Sequence, residues 1–144
     1  MKITVESADL PETEVIIRGD VTGEEIAFLL RLLKKRSGGK LLLYKEEEQY
    51  LLDAGEIVFI EVTDSKVWVY TSQEVYETRL KLYELKETLN PRTFAQINKS
   101  VLVNMNCVKS IQAEFSGNYR LRLKNRKERL TISRKYFKEF KDLI

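Results

Sequence analysis

The chain has 144 residues, with 25 Lys or Arg, 22 Asp or Glu, one Cys and no His, for a net charge of +3. A length near one domain's worth, 43% hydrophobic residues and only two Pro exclude a disordered tail or a low-complexity chain, and one compact domain with its own core is expected. Without His, imidazole acid–base catalysis, His-based metal sites and Ser/His or Cys/His nucleophile pairs are excluded; no paired carboxylate or Lys motif replaces them, so no enzyme, cofactor or metal is expected.

In chain order, the β-branched run of residues 13–18 predicts a strand. Thr22 with Glu25 has capping-box spacing, and Ile26, Leu29, Leu30 and Leu33 fall on one helical stripe. Lys34, Lys35 and Arg36 suit the negative end of that helix's dipole, and Ser37-Gly38-Gly39 supplies its stop. A strand over 40–44 completes a strand–helix–strand outline for residues 1–45. Strands follow at 50–52, 57–62 and 66–71, with a return arm at 74–78. Leu82, Leu85 and Leu89 mark a helix ended by Asn90-Pro91. Further strands are expected around 101–103, 108–115, 119–124 and 129–132, then a closing helix over 134–143.

Two halves of unequal charge lie behind the small net value. Residues 1–90 carry 12 Lys or Arg against 18 Asp or Glu, whereas residues 91–144 carry 13 against 4. The excess is densest from Tyr119 to Lys135, where eight cations and one acid, Glu128, share 17 residues. Arg120, Arg122 and Lys124 alternate with Leu121 and Leu123, so a strand puts the cations on one face and the leucines in the core. Arg126, Lys127 and Arg129 crowd the next turn and strand, and Arg134 and Lys135 open the last helix. Cations presented together attract phosphates in proportion to their number, which favours a nucleic-acid contact over a merely solvated face.

Other features read as structural. Gly38-Gly39-Lys40 lacks P-loop spacing and is a helix stop. Glu46-Glu47-Glu48 would point to alternate sides of an extended chain and forms a solvated edge instead of a cation site. Cys107 is read as a structural thiol, unable to close an intramolecular disulfide. Trp68 belongs to a sheet face, since stacking platforms for bases sit among cations. The N-terminus carries no signal-like stretch, and Arg31 breaks the run from Phe28 to Leu33, short of the about 18 apolar residues of a membrane span. A cytoplasmic location is expected.

The segment from Phe94 through Gln96-Ile97-Asn98-Lys99-Ser100 to Val103-Asn104 resembles the hallmark of the LytTR-type DNA-binding domain. Ile57-Val58-Phe59-Ile60-Glu61 upstream, the helix of Leu82–Leu89 and the closing Ile132-Ser133-Arg134-Lys135-Tyr136 agree with it in order. The resemblance covers about residues 47–144. It implies an α+β, mostly β fold over 46–144 that reaches into successive major grooves through loops, in bacterial transcription regulators. By position it implies base reading by Lys99, by Arg134 and Lys135, and by Lys66 in the Thr63–Lys66 turn. Phosphate contacts would fall to Arg120, Arg122, Arg126, Lys127, Arg129 and Asn98, while the Ser100 and Asn104 side chains would brace the loop by bonding nearby backbone.

The sequence departs from the family pattern at three positions: Gln96 stands where Arg is usual, Asn98 where His is usual, and Arg126 where a turn favouring positive φ usually has Gly. Residues 1–45 are too few for a receiver domain, so the closest likeness is to short stand-alone regulators, which are often encoded beside a small membrane protein that restrains them. The expected partners are therefore double-stranded DNA, a second copy of the chain and such a membrane protein, with no small-molecule substrate; the N-terminal helix stripe would serve either the contact with that second copy or packing on the β domain. The same basic face would also suit an acidic protein or RNA.

Overall fold

The structure is a computed structural model, which describes residues 1–36 and 39–144. The expected stop at Ser37-Gly38 lies outside those residues, as do the side chains of Lys34, Lys35 and Arg36. The chain divides into two compact units, Met1–Leu32 and Leu33–Ile144.

In the first unit the expected strand over 13–18 does not form. A strand requires a partner for its backbone groups, and no ladder takes these residues. Helix α1 (Glu24–Arg36) begins here, with Glu24 and Glu25 in its first turn. Asp20 holds the turn that leads into the helix: its carboxylate accepts from the Thr22 N–H (3.0 Å) and hydroxyl (2.7 Å), and its carbonyl accepts from the Gly23 N–H. Those two bonds hold the Asp20 carboxyl below its ordinary range.

Among the described residues, the second unit holds ten strands in two antiparallel sheets. β1 (Lys40–Lys45) and β2 (Glu48–Asp53) form a hairpin whose turn carries Glu46 at φ 58°. β1 therefore does not close an N-terminal strand–helix–strand element over 1–45; Leu41 and Leu43 bury it in the main sheet's core. A 3₁₀ turn at Ala54–Glu56 leads into β3 (Ile57–Thr63), β4 (Lys66–Thr71) and β5 (Val75–Thr78), then α2 (Leu82–Thr88). β6 (Phe94–Asn98) and β7 (Val101–Asn104) complete a seven-stranded sheet ordered β2-β1-β5-β4-β3-β7-β6. β6 is an additional strand beyond those expected. β8 (Val108–Ala113), β9 (Tyr119–Leu123) and β10 (Arg129–Ile132) form the second sheet, and α3 (Arg134–Asp142) closes the chain.

Alternation along the central strands serves two cores. Ile60, Val69 and Leu102 join Leu85 and Leu89 of α2 in one. Phe59, Val101 and Val103 join Leu121, Leu123, Leu130, Ile132 and Phe140 in the other, which fastens the three-stranded sheet and α3 to the main sheet. A bulge between Ile57 and Phe59 gives Val58 and Phe59 to the same core. Two stacked aromatic pairs, Phe59 with Tyr70 (4.1 Å) and Tyr119 with Phe137 (3.7 Å), reinforce the second core. Among the described residues, no helix is long and apolar enough to cross a membrane.

Candidate nucleic-acid interface

Four loops of the second unit are fastened side by side. The β3–β4 turn is a two-residue hairpin in which Asp64 (φ 53°) and Ser65 (φ 65°) both have positive φ, matching the twist of the flanking strands and placing Lys66 at its mouth. The β6–β7 turn, Lys99-Ser100, lies against the end of β3: the Val62 N–H donates to the Ser100 carbonyl at 2.9 Å.

That turn is bonded in its other direction to the start of α3. The Ser133 N–H donates to the Ile97 carbonyl (2.9 Å), and the Asn98 amide donates to the Thr131 carbonyl (2.8 Å). Next, the β8–β9 loop supports α3 from outside. The Arg134 N–H donates to the Asn118 side chain at 3.3 Å, supplying a cap that the local Ser133 hydroxyl does not provide. The Arg134 stem lies across Gly117, where a Cβ would come within 2.7 Å of it; Gly117 has φ +89°.

The consequence is a row carrying Lys66, Lys99, Arg134 and Lys135, all exposed. None of the four forms an ion pair among the described residues. Lys66 lies 5.9 Å from the Trp68 ring and Lys135 lies 6.0 Å from Tyr136, contacts that leave both ammonium groups open to solvent. The four expected base-reading positions are thus brought together by backbone and side-chain bonds between segments distant in sequence.

The expected phosphate contacts separate into two groups. Arg120, Arg122 and Arg129 occupy the exposed face of β9 and β10, opposite the buried Leu121, Leu123, Leu130 and Ile132. Arg122 and Arg129 are register partners, two like charges directly opposed across a ladder. Such a pair lowers stability by roughly 0.2–1 kcal/mol unless an anion intervenes. Arg120 makes a long contact of 3.5 Å to Glu114.

Arg126 behaves differently and corrects the sequence expectation. It donates to both Glu128 oxygens (3.1 and 2.8 Å) and to the Thr71 carbonyl (2.7 Å), with its guanidinium 5.1 Å from the Tyr70 ring. Its side chain is only 16% exposed. Arg126 therefore clasps the β9–β10 turn to the far end of β4 through its Nε and Nη1 donors, with most of its side chain buried. Its backbone does not take the positive φ that the turn usually has at this position. Lys127 is exposed beside it, at the end of the hairpin remote from the loop row.

Asn98 is corrected in the same way. Its amide group is committed to Thr131, and its side-chain oxygen accepts from the Ser100 N–H at 2.8 Å, leaving it to brace the turn. Ser100 contributes to that brace through its backbone instead of its side chain. The buried Asn104 side chain does bond nearby structure, donating to the Ile57 carbonyl (2.9 Å) and accepting from the Asn106 N–H (3.0 Å). Gln96 accepts from Lys86 (3.2 Å) and donates to the Asn98 carbonyl (3.1 Å). Burial pushes the Cys107 thiol up, against an opposing pull from Lys124. Gly117 and Asn118 were missed as supports of Arg134; Ser116-Gly117-Asn118 is the turn signal that could have located them.

Comparison with known proteins identifies the family. The model of the LytTr DNA-binding domain matches residues 47–144, and the chain belongs to that family of DNA-binding domains. It is 34% identical over 105 residues to the sensory transduction protein LytT of Bacillus anthracis, covering 73% of this chain and 42% of that one. It is 29% identical over 109 residues to the transcriptional regulatory protein YpdB of Escherichia coli K12, covering 76% and 45%. The chain thus spans less than half the length of these two relatives. An uncharacterized HTH-type transcriptional regulator of Staphylococcus aureus is 29% identical over 104 residues, covering 72% of this chain and 69% of that one. A solved LytTr DNA-binding domain from Bacillus cereus shares the fold, with a TM-score of 0.68 at 22% identity, covering 73% of this chain and 95% of that one.

Proposed function

We propose that the chain is a cytoplasmic transcription regulator that binds double-stranded DNA sequence-specifically through the loop row. The observation that carries this reading is the fastening of Lys66, Lys99, Arg134 and Lys135 into one exposed row without ion pairs among the described residues. Lys and Arg at loop tips match the paired acceptors O6 and N7 that guanine presents in the major groove. Arg120, Arg122 and Arg129 hold phosphates beside the row, and the opposed Arg122/Arg129 pair is relieved when a phosphate sits between them. Lys127 adds an outlying phosphate contact.

The transcriptional regulatory protein YpdB among the relatives supports a role in transcription. Two copies act together on repeated half-sites, with Ile26, Leu29, Leu30 and Leu33 of α1 contributing to their contact. Selection of fragments from randomised duplex DNA by the full chain tests the reading. One related set of sequences is expected, bound with an affinity that falls steeply as salt rises. Recovery of no duplex at physiological ionic strength, or equal retention of RNA and duplex, contradicts it. Sedimentation on duplexes bearing one or two copies of the recovered site checks the stoichiometry.

A further inference from the structure

The β8–β9 loop carries an aromatic ring that the fold does not use. Phe115 is 113% exposed, more open than in an extended reference chain, although Phe is ordinarily among the more buried residue types. It stands on a constrained loop: the Glu114 N–H donates to the Asn118 carbonyl (2.9 Å) and the Gly117 N–H to the Glu114 carbonyl (3.0 Å). The Asn118 N–H donates to the Ser116 hydroxyl at 3.3 Å. These bonds hold the backbone on both sides of Phe115.

The same loop carries Arg134, whose stem rests on Gly117 and whose N–H is capped by Asn118. Phe115 lies two positions before the Gly117 that supports the Arg134 stem, so a pose that brings Arg134 to a base edge brings the Phe115 loop close to the same stretch of groove. An apolar protein partner covering the ring would also have to desolvate the Arg134 and Lys135 charges without compensating them. Duplex DNA satisfies both demands: guanine and phosphate oxygens accept from the cations, and the thymine C5 methyl offers an apolar surface in the major groove.

We infer that Phe115 is a specificity-determining residue that packs on a thymine methyl beside the base pair contacted by Arg134. This rests on the DNA-binding reading above and adds to it an apolar contact from a loop outside the expected base-reading set. Phe115 carries no charge, so its contribution is independent of salt.

The experiment uses full-length wild type and Phe115→Ala, titrated with a fluorescent duplex recovered by selection from randomised DNA. Further duplexes replace each thymine in turn by deoxyuridine, which removes only the methyl group. At one thymine, wild type is expected to lose about fourfold in affinity, the equivalent of one buried methyl group. Phe115→Ala is expected to bind the parent duplex roughly tenfold more weakly, to ignore that replacement, and to keep the wild-type salt slope. Equal affinity of the two proteins for the parent duplex overturns the inference. So does a loss that is the same for thymine and deoxyuridine at every position, or one explained by a change in sedimentation. Failure of wild type to enrich any duplex overturns the DNA-binding reading itself and the inference with it.

Discussion

The two ends of the β9–β10 hairpin use the same residue type for opposite purposes. At one end Arg134 leaves its head free while its N–H and stem are supported by Asn118 and Gly117. At the other, Arg126 spends its fork on Glu128 and the Thr71 carbonyl and its flat face on Tyr70. A count of cations treats the two alike. Their surroundings separate a side chain available to an outside anion from one that holds two sheets together.

Substitutions can break that contrast. Arg126→Ala removes a paired, mostly buried guanidinium and leaves Glu128 and the Thr71 carbonyl without their partner, so about 2–3 kcal/mol of stability should be lost in denaturant unfolding. Once folded, the variant should retain its affinity for duplex DNA. A stable variant with weakened DNA binding would return Arg126 to the phosphate-contacting set.

Gly117→Ala probes the other end. A Cβ there collides with the Arg134 stem, and φ +89° is strained for any L side chain, so a loss of about 1–2 kcal/mol is expected together with displacement of Arg134. Weakened sequence discrimination should accompany the stability change. Unaltered discrimination in the folded variant would disconnect the β8–β9 loop from reading.

The double variant Arg122→Ala, Arg129→Ala sharpens the distinction between gripping and reading. It should weaken all duplexes alike and make the logarithmic salt slope shallower by roughly two. Without DNA it should be more stable by a few tenths of a kcal/mol, because two opposed like charges are gone. A sequence-selective loss would contradict the phosphate role.

The smallest effect concerns Cys107, a half-buried residue whose carbonyl accepts from the Lys124 N–H (2.9 Å) at the Arg126 end of the hairpin. Burial raises its pKa, so the folded protein keeps its thiol proton at pH values where the unfolded chain has begun to lose it. This contribution to stability is present below the ordinary thiol pKa and fades as pH rises through the shifted value. Alkylation of the native protein near pH 8 should be slower than that of the unfolded chain, and equal rates would contradict the shift.

Much of the second unit was legible because its strands alternate cleanly between turn signals. Lys66–Thr71 and Arg129–Ile132 are bounded in the sequence as they are in the structure. β6 was not, since a register irregularity between Gln96 and Asn98 breaks the alternation by which a strand is recognised. The run at 13–18 has strand composition but no ladder to join, and strand formation depends on the partner as much as on propensity.

The cations of the site could be placed on faces by counting alone. Their engagement could not, because the contacts that decide it are remote in sequence. Arg126 meets a carbonyl 55 positions away, and Asn98 meets one 33 positions away. Phe115 was hidden for a local reason: the expected strand ran through it, whereas β8 ends at Ala113 and leaves the ring on the loop.

The central claim, that the loop row reads bases, is tested most directly by the binding of full-length Lys99→Ala to the preferred duplex and to a scrambled one. A loss of roughly 1–3 kcal/mol on the preferred duplex, with little change on the scrambled one, is the predicted result. Equal losses on both, or undiminished discrimination, would contradict it.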